Sequence, residues 1–423
     1  MKKVVRWFLI GLTVVAFILL VFFAFVYFSV DDRIEINGYL PPFKNERLIV
    51  RLDSTTLTPD SLTSFVTTLM RKAQVHGMAM SVINNNTLVY QQYFGSKNKQ
   101  KNESLTPGTI FYGASFSKTI FADVVLQLVE ENIIHLDTPL YKYLGKPLYA
   151  YKTNFIQQLF GANFIDYSEL KTDDRYKAFT ARMCLNHTTG LPNWRWIEDD
   201  QKLKIKYDPG TRYSYSGEGM FLLQMVLEEL TGKDFEEIAL EKTLGPLTMS
   251  RSSFVWQHAY EGFYGVGHDG NGANLGIPKT NVPNAAGSLS TTMEDYTQFF
   301  RSVLSQKKNR YKQLLVPQVR IRSRQQFGPN AVIESNDNDS IALSYGLGFG
   351  LYETPYGKAF FKEGHLDGWQ HYVVGFPEKG NGLILMSNSD HAESIFKELI
   401  EYAIGNRYTP WFWEGYIPYE PRN

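Results

Sequence analysis

Ser115 and Lys118 stand three positions apart in the stretch GASFSKTI, at the start of a long apolar run. On a helix, residues at this spacing share one face. A serine hydroxyl becomes a good nucleophile when a base removes its proton. Lysine can act as that base when burial among apolar neighbours lowers its pKa. The pair therefore predicts a nucleophile that carries its own base.

The spacing alone is not diagnostic, because Ser-x-x-Lys occurs five times in the chain. Only Ser115/Lys118 lies where a predicted sheet gives way to a buried helix. The other pairs stand in charged turns or on an exposed helix face, which is typical of solvated surface residues. These pairs are Ser96/Lys99, Ser168/Lys171, Ser305/Lys308 and Ser394/Lys397.

The elements around the pair are strands toward both ends of the chain and helices between them. MAMSVI and TLVYQQYF predict two strands joined by a turn at NNN, and KAFFKEG, HYVVGF and LILMS predict late strands. The middle of the chain, about 120–305, predicts a mostly helical lobe. We therefore predict an α+β fold with an antiparallel sheet flanked by helices, an inserted helical lobe and a site between the two lobes.

The N-terminus carries a long apolar run with no charge from Trp7 to Val30, enough for a transmembrane helix. Basic residues precede the run, so the positive-inside rule places everything after it outside the cytoplasm. A cleavable signal peptide is the competing interpretation, although the run ends without a small-x-small site. We predict a single-pass inner-membrane protein with a cytoplasmic tail (1–6), a membrane span (7–30), a stalk (31–53), a periplasmic catalytic domain (54–405) and a C-terminal tail (406–423).

The composition argues against several classes of protein. Basic and acidic residues balance at 43 each, which gives no electrostatic reason to expect nucleic acid as a partner. Cys184 is the only cysteine, so no intrachain disulfide can form, and its apolar surroundings favour packing over catalysis. No Cys/His cluster in the sequence has metal-ligand spacing, and no Walker-type phosphate loop occurs. We therefore expect neither a metal nor a cofactor.

The segment GASFSK and the apolar helix after it resemble the active-site stretch of class C β-lactamases and D-Ala-D-Ala carboxypeptidases, which are penicillin-recognising serine hydrolases. The resemblance covers about residues 55–405. It implies the β-lactamase/transpeptidase-like fold and acyl transfer through a serine. Four later segments are similar to family motifs in order and spacing: MCLNHTTGLP, DPGTRYSYSGEG, AAGSLSTTMEDYTQFF and EGHLDGWQHYVVGFPEKGNGLILMSNSD.

The resemblance implies a role for each matched residue. Ser115 would be the acylated nucleophile, and Lys118 would take or share its proton. Tyr215 would relay a proton to the leaving group. His365 would polarise Tyr215 or meet a substrate carboxylate. The backbone N–H groups of Ser115 and Gly368 would form the oxyanion hole.

Three residues are candidates for substrate binding, and two of them depart from the family pattern. Gly217 stands where the family has the asparagine of its Tyr-x-Asn segment, which puts β-lactam and peptide recognition in doubt more than acyl transfer. Asp367, in HLDG, would either place a carboxylate beside the cleft, where it would repel an anionic substrate, or turn that carboxylate outward. Trp194, close to Trp196, would line an acyl or sugar pocket, with core packing as the alternative. His187 is interpreted as structural.

These features predict a membrane-anchored serine hydrolase that forms a Ser115 acyl-enzyme with an ester or amide. The substrate would be a small molecule or a peptidoglycan fragment. Esterase or cell-wall D-Ala peptidase activity fits Gly217 and Asp367 better than true β-lactamase activity. One alternative is a catalytically silent, penicillin-binding-like module that holds a wall fragment or a protein. Another is a regulator that becomes acylated and signals through the span.

Overall fold

One nine-stranded antiparallel sheet, built from both ends of the chain, organises the fold. The structure is a computed structural model that describes residues 7, 10–18, 33–36, 38–154 and 164–417. In chain order the strands are β1 (Ile49–Val50), β2 (Thr56–Leu57), β3 (Gly77–Asn84), β4 (Thr87–Asn98), β5 (Glu103–Ser104), β6 (Ile110–Tyr112), β7 (Gly267–His268), β8 (Asn274–Gly276), β9 (Ser290–Thr292), β10 (Val319–Arg320), β11 (Ser344–Tyr345), β12 (Gly350–Thr354), β13 (Gly357–Leu366), β14 (Trp369–Phe376) and β15 (Asn381–Ser387).

The order of strands across the main sheet is β10-β11-β12-β13-β14-β15-β3-β4-β5, so β15 and β3 bring late and early segments together. In that pairing Leu385 lies opposite Met80. The strands β3, β14 and β15 are buried along their whole length, because both faces of the sheet are covered. The turn between β3 and β4 uses Asn85 and Asn86 at φ 46° and 59°, a left-handed conformation that asparagine tolerates in tight hairpins.

The helices cover the two faces of this sheet with separate apolar cores. One core includes Leu62 and Phe396, and the other includes Ile120 and Phe299. Between β5 and β10 the chain forms most of the helices and two small sheets, β6–β9 and β7–β8. The predicted α+β fold with an antiparallel sheet flanked by helices is confirmed. Among the described residues from 59 onward, the α-helices are α1 (Pro59–Ala73), α2 (Ser117–Glu130), α3 (Ala181–Leu185), α4 (Gly217–Thr231), α5 (Phe235–Ala239), α6 (Met293–Ser305), α7 (Asn309–Leu314), α8 (Glu393–Ile404) and α9 (Trp411–Glu414).

The predicted transmembrane helix requires a correction. Among the residues that the structure describes, no helix is both long enough and apolar enough to cross a membrane. Within the predicted span of 7–30, the helical stretch 10–18 is described, whereas 19–30 and the predicted tail 1–6 lie outside the described residues. The prediction of a single-pass inner-membrane protein with a periplasmic domain, which rested on the length of the apolar run, is therefore wrong.

Segments on either side of the predicted catalytic domain pack against the sheet and its helices. Ile49 and Leu52 are buried, and the Leu52 N–H donates to the carbonyl of Ile404 at the end of α8. After α8 the chain turns back, and Trp411 and Trp413 are buried in the same core. This packing brings the residues that follow α8 close to the middle of β13 and β14.

Candidate active site

Ser115 lies in a single 3-10 turn, Ala114–Phe116, which leads directly into α2. Ala114 has a φ of 47°, a strained conformation that a non-glycine residue keeps only when its surroundings hold it. The Ser117 hydroxyl donates to the Ala114 carbonyl at 2.6 Å and accepts from the Leu289 N–H at 2.9 Å. The turn that presents Ser115 is therefore fixed from both sides.

Lys118 lies one helical turn further on and is 1% exposed. Its Nζ atom is 3.0 Å from Ser115 Oγ, and it also donates to the carbonyl of Ala286. Burial, and next the positive charge of Lys362, hold the pKa of Lys118 well below its usual range. A neutral Lys118 amine can accept a proton from Ser115, and this role of Lys118 stays a prediction.

Tyr215 lies in the loop before α4, and its hydroxyl donates to Ser115 Oγ at 3.0 Å. Burial raises the pKa of Tyr215, and the nearby Lys362 opposes that rise without cancelling it. The phenol therefore stays protonated in the resting site. It is placed to pass a proton on and is not a ready-made base, so Lys118 is the better candidate for activating Ser115.

Lys362 on β13 completes this group, although the sequence analysis did not single it out. Its Nζ donates to the Tyr215 hydroxyl at 3.2 Å and to Glu363 Oε1 at 2.7 Å. Burial lowers the pKa of Lys362, but Glu363 and Tyr215 together outweigh burial and raise it. Lys362 is therefore a fixed positive charge beside the phenol.

His365 does not reach Tyr215, which corrects its predicted role as the group that polarises the phenol. Its Nδ1 lies 2.7 Å from Glu393 Oε1, and its side chain is 54% exposed. The hydrogen bond to Glu393 raises the pKa of His365. Side chains alternate along a strand, so positions 362 and 365 face opposite sides of the sheet. Lys362 takes the place that the sequence assigned to His365.

Gly368 and Asp367 also lie away from the nucleophile. The Gly368 N–H donates to Asp390 Oδ1 in the turn between β13 and β14, so it is not free for an oxyanion. Asp367 is exposed and does not line the cavity that contains Ser115. The predicted Gly368 donor is corrected on these grounds. Of the two positions predicted for Asp367, the structure shows the outward one, so the repulsion predicted for the other position does not apply.

Gly217 is the first residue of α4, and its N–H donates to Asn193 Oδ1 at 3.1 Å. A Cβ atom at this position would lie 2.7 Å from the ring of Trp194 and 2.8 Å from the Asn193 carbonyl oxygen. Trp194 itself stacks on Trp196 with ring centroids 4.6 Å apart. The Trp194 indole therefore occupies space that any side chain at position 217 would need.

His187 is buried next to the phenol, with the two ring centroids of His187 and Tyr215 4.3 Å apart. Its Nδ1 accepts the backbone N–H of Ser216 at 3.1 Å. Burial, followed by the charges of Lys118 and Lys362, holds the pKa of His187 well below its usual range. A neutral histidine bonded to backbone beside Tyr215 fits a positioning role.

Several of the residues described above line one cavity of about 430 Å³. Ser115, Lys118, Tyr215, Trp194 and His365 all contribute to its wall. Among the described residues, no group of three or more His, Cys, Asp or Glu side chains is placed to hold a metal ion. The sequence analysis missed several wall residues. Asn193, Gln326 and Phe327 come from loops, Glu363 from β13, Glu393 from the start of α8, and Glu414 and Tyr416 from the segment after α8.

A comparison with protein families finds a match to the family model described as Beta-lactamase over residues 62–404. Two solved structures share the fold. The octameric penicillin-binding protein homologue from Pyrococcus abyssi is 21% identical, with a TM-score of 0.61 over 78% of this chain and 74% of that one. D-alanine carboxypeptidase AmpC from Burkholderia cenocepacia is 18% identical, with a TM-score of 0.60 over 78% of this chain and 93% of that one.

Curated relatives are similarly distant in sequence. Protein flp of Staphylococcus aureus (strain COL) is 21% identical over 80% of this chain and 65% of its own length, so the chain spans less than two thirds of that relative. A teichoic acid D-alanine hydrolase of Staphylococcus aureus (strain MRSA252) is 23% identical over 52% of this chain and 55% of its own length.

Proposed function

Because this chain belongs to the β-lactamase family, we propose that it is a serine hydrolase that cleaves an ester or amide through a Ser115 acyl-enzyme. One observation carries the proposal. Lys118 Nζ and Tyr215 Oη both lie 3.0 Å from Ser115 Oγ, and both are buried. A hydroxyl in contact with a buried amine and a phenol can lose its proton as it attacks and can pass a proton to a leaving group.

In the first step Ser115 Oγ attacks the substrate carbonyl and its proton moves to the neutral amine of Lys118. The negative charge on the carbonyl oxygen would be stabilised by backbone N–H groups. The N–H of Ser115 is the donor that the sequence predicted. Gly364 on β13 packs so close to the Ser115 turn that a Cβ there would lie 3.0 Å from the Gly113 carbonyl oxygen. We therefore look to the backbone of β13 for the second donor.

In the second step the bond to the leaving group breaks, and the leaving oxygen or nitrogen takes a proton from Tyr215. Lys118 then passes its proton back toward Tyr215. Lys362 Nζ lies 3.2 Å from the Tyr215 hydroxyl and holds the phenol in place. Water attacks the acyl-enzyme by the reverse route. One proton of the water passes to the base and the hydroxyl joins the acyl carbon. The bond between that carbon and Ser115 Oγ then breaks, and Ser115 Oγ takes the proton back from the base.

For the substrate we propose a D-alanyl ester or an amide that ends in D-Ala. This proposal is supported by the names of two similar proteins, a teichoic acid D-alanine hydrolase and a D-alanine carboxypeptidase. True β-lactamase activity is the less favoured reaction, because Gly217 leaves no asparagine in the Tyr-x-Asn position. A catalytically silent module would have no use for the proton route from Ser115 through Tyr215 to Lys362.

The test is to expose the full chain to a fluorophosphonate probe and to measure its intact mass. Wild type should gain one label, and Ser115→Ala should gain none. Ser305→Ala is the matched control, because Ser305 belongs to another Ser-x-x-Lys pair and lies outside the cavity. It should gain one label like wild type. An unlabelled wild-type protein would overturn the proposal and favour a binding module.

A further inference from the structure

Gln326 lies in the loop between β10 and β11 and is 5% exposed. It lines the cavity that contains Ser115. Its Nε2 donates to Glu363 Oε1 at 2.9 Å and to the Tyr213 hydroxyl at 3.4 Å. The amide of Gln326 therefore has a defined place beside the Glu363 carboxylate.

One oxygen of Glu363 receives two donors. Lys362 Nζ donates to Oε1 at 2.7 Å, and Gln326 Nε2 donates to the same atom. Glu363 is 6% exposed, so water has little access to its carboxylate and the protein must supply the donors. Each donor that the carboxylate receives from Gln326 is one that it need not take from Lys362.

Lys362 divides its ammonium group between two acceptors. Its Nζ lies 2.7 Å from Glu363 Oε1 and 3.2 Å from the Tyr215 hydroxyl. The contact with Glu363 is the shorter of the two, so the carboxylate and the phenol compete for one ammonium group. A carboxylate without the Gln326 donor would attract the ammonium more strongly, because charge-assisted hydrogen bonds are the strong ones. The contact with the phenol would then weaken.

These contacts form one continuous chain from Gln326 to the nucleophile. Gln326 and Lys362 both donate to Glu363. Lys362 also donates to the Tyr215 hydroxyl, and that hydroxyl donates to Ser115 Oγ. A change at Gln326 can therefore reach the phenol by way of Glu363 and Lys362.

The backbone of Gln326 is held by the segment after α8. The Gln326 N–H donates to the Trp413 carbonyl at 2.8 Å, and Trp413 Nε1 donates to Ser323 Oγ at 3.1 Å. Trp413 is fully buried in the core. It lies outside residues 62–404, which match the family model. A part of the chain beyond that match therefore fixes the loop that carries Gln326.

We propose that Gln326 is a positioning residue for proton delivery: through Glu363 it keeps Lys362 in contact with the Tyr215 hydroxyl. This inference rests on the proposed function of Ser115. Gln326 shares the charge of the carboxylate, so the ammonium keeps a donor for the phenol. Its effect should be confined to the step in which the leaving group takes a proton.

The test compares substrates that differ in their need for that proton. The ethyl ester of D-alanine needs a proton on its leaving oxygen, the phenyl ester needs one far less, and the fluoride of a fluorophosphonate needs none. Gln326→Met keeps the approximate size of the side chain and removes the donor. In the full chain it should lower kcat/KM for the ethyl ester by about ten-fold, the size of one hydrogen bond to a charged group. The phenyl ester and the labelling rate should change by less than about three-fold.

Gln325→Met is the matched control. Gln325 is the neighbouring glutamine, donates to the Phe412 carbonyl and does not line the cavity, so this variant should keep wild-type rates with all three substrates. Equal losses for both esters in Gln326→Met, or wild-type rates, overturn the proposal. If Gln326→Met is not labelled, Gln326→Asn replaces it, because the shorter amide does not reach Glu363. Loss of labelling in both variants also overturns the proposal, since Gln326 would then support the site as a whole and not one step.

A double-mutant cycle tests whether Gln326 acts through Glu363. Glu363→Met removes the carboxylate, so adding Gln326→Met to it should lower kcat/KM for the ethyl ester by less than about two-fold. A further loss of about ten-fold would mean that Gln326 acts on the substrate directly, which contradicts a positioning role. If Glu363→Met is not labelled, the comparison of the two esters decides alone.

The two proposals fail in different ways. A wild-type protein that gains no fluorophosphonate label removes the serine hydrolase and this inference with it. A labelled wild type in which Gln326→Met affects both esters equally removes the role of Gln326 and leaves the hydrolase. A labelled wild type that cleaves neither ester also removes that role, because the proton route would have no leaving group to serve.

Discussion

Lys362 donates a hydrogen bond to the Tyr215 hydroxyl at 3.2 Å, and the same hydroxyl donates to Ser115 Oγ at 3.0 Å. The phenol therefore links a fixed cation to the nucleophile. A cation beside a phenol lowers the phenol's pKa, so the phenol gives its proton more readily to the leaving oxygen or nitrogen of the substrate. Lys362 would therefore assist the proton donor Tyr215, whereas Lys118 would act as the base for Ser115. The two roles can be tested separately.

Lys362→Met should lower kcat/KM by about 100-fold for alkyl esters, which need a proton on the leaving oxygen. The loss should be much smaller for a phenyl ester, whose leaving group departs without protonation. Measuring both substrates distinguishes proton delivery from general damage to the site. His365→Gln is the control and should change either rate by less than about three-fold, because His365 contacts Glu393 and not the phenol. Equal losses in both variants would restore the role predicted for His365.

The rate of Ser115 acylation should rise with pH as Lys118 loses its proton, with a midpoint below the usual lysine pKa of about 10.4. The base must be neutral to act, so the ascending limb follows the pKa of Lys118, which burial and Lys362 hold low. Removing the like charge in Lys362→Met should raise that pKa and move the limb to higher pH. Stopped-flow labelling with a fluorophosphonate measures the limb directly.

Lys118→Arg supplies the complementary measurement. Arginine keeps a charge at this position but cannot be deprotonated in proteins, so the limb should vanish and the rate should fall by about 100-fold or more. Wild-type rates in Lys118→Arg would show that Lys118 is not the base. So would an ascending limb of the acylation rate in Lys362→Met that has the same midpoint pH as in wild type.

Gly217→Ala should destabilise the protein by about 1–3 kcal/mol, although alanine is normally the better helix residue. The added Cβ would lie 2.7 Å from the Trp194 ring. Urea unfolding measures the cost. In a double-mutant cycle with Trp194→Ala, the two changes should couple by about 1 kcal/mol or more, because the smaller residue frees part of the space. If the two free-energy changes simply add, the Trp194 ring does not occupy the space that a side chain at position 217 would need.

Arg310→Met should cost about 3–5 kcal/mol in the free energy of unfolding, because it leaves the buried carboxylate of Asp123 without its cation. Arg320→Met is the matched control. It breaks an exposed ion pair with Asp339 and should cost less than about 1 kcal/mol. Urea unfolding at neutral pH compares the two variants, and similar costs would contradict the assignment.

The Arg310 deficit should also depend on pH. Burial already raises the pKa of Asp123, with Arg310 opposing that rise, so the variant raises the pKa further. A folded-state pKa above the unfolded one favours folding when the group is protonated, and this contribution is lost as pH rises through the folded pKa. The deficit should therefore shrink at acid pH, which unfolding at pH 5 and pH 8 would reveal.

The sequence identified the residues whose roles depend on local motifs. The Ser115/Lys118 pair stood out from the other Ser-x-x-Lys pairs because it lies where a predicted sheet gives way to an apolar helix, and Tyr215 was matched through the resemblance of DPGTRYSYSGEG to a family motif. Lys362 was within reach of the same reasoning, because it stands three positions before His365 on the same predicted strand. The motif match assigned the contact with the Tyr215 hydroxyl to His365. In the structure Lys362 makes that contact.

Glu414 and Tyr416 could not be predicted in the same way. They reach the cavity only because the chain turns back after α8 and packs Trp411 and Trp413 into the core. No local pattern encodes that tertiary path. The membrane span was predicted from hydropathy alone, and among the described residues no helix is long and apolar enough to cross a membrane.

The pairing of β3 with β15 joins residues 77–84 to residues 381–387 at the centre of the sheet. During translation β3 therefore waits with an apolar, unpaired edge until residue 387 has left the ribosome. Such an edge invites pairing with other chains, so we expect the nascent protein to depend on chaperones. Ser115 is synthesised early, but Lys362 arrives with β13. Reactivity toward acyl donors should therefore appear only late in synthesis, when the two halves of the sheet have met.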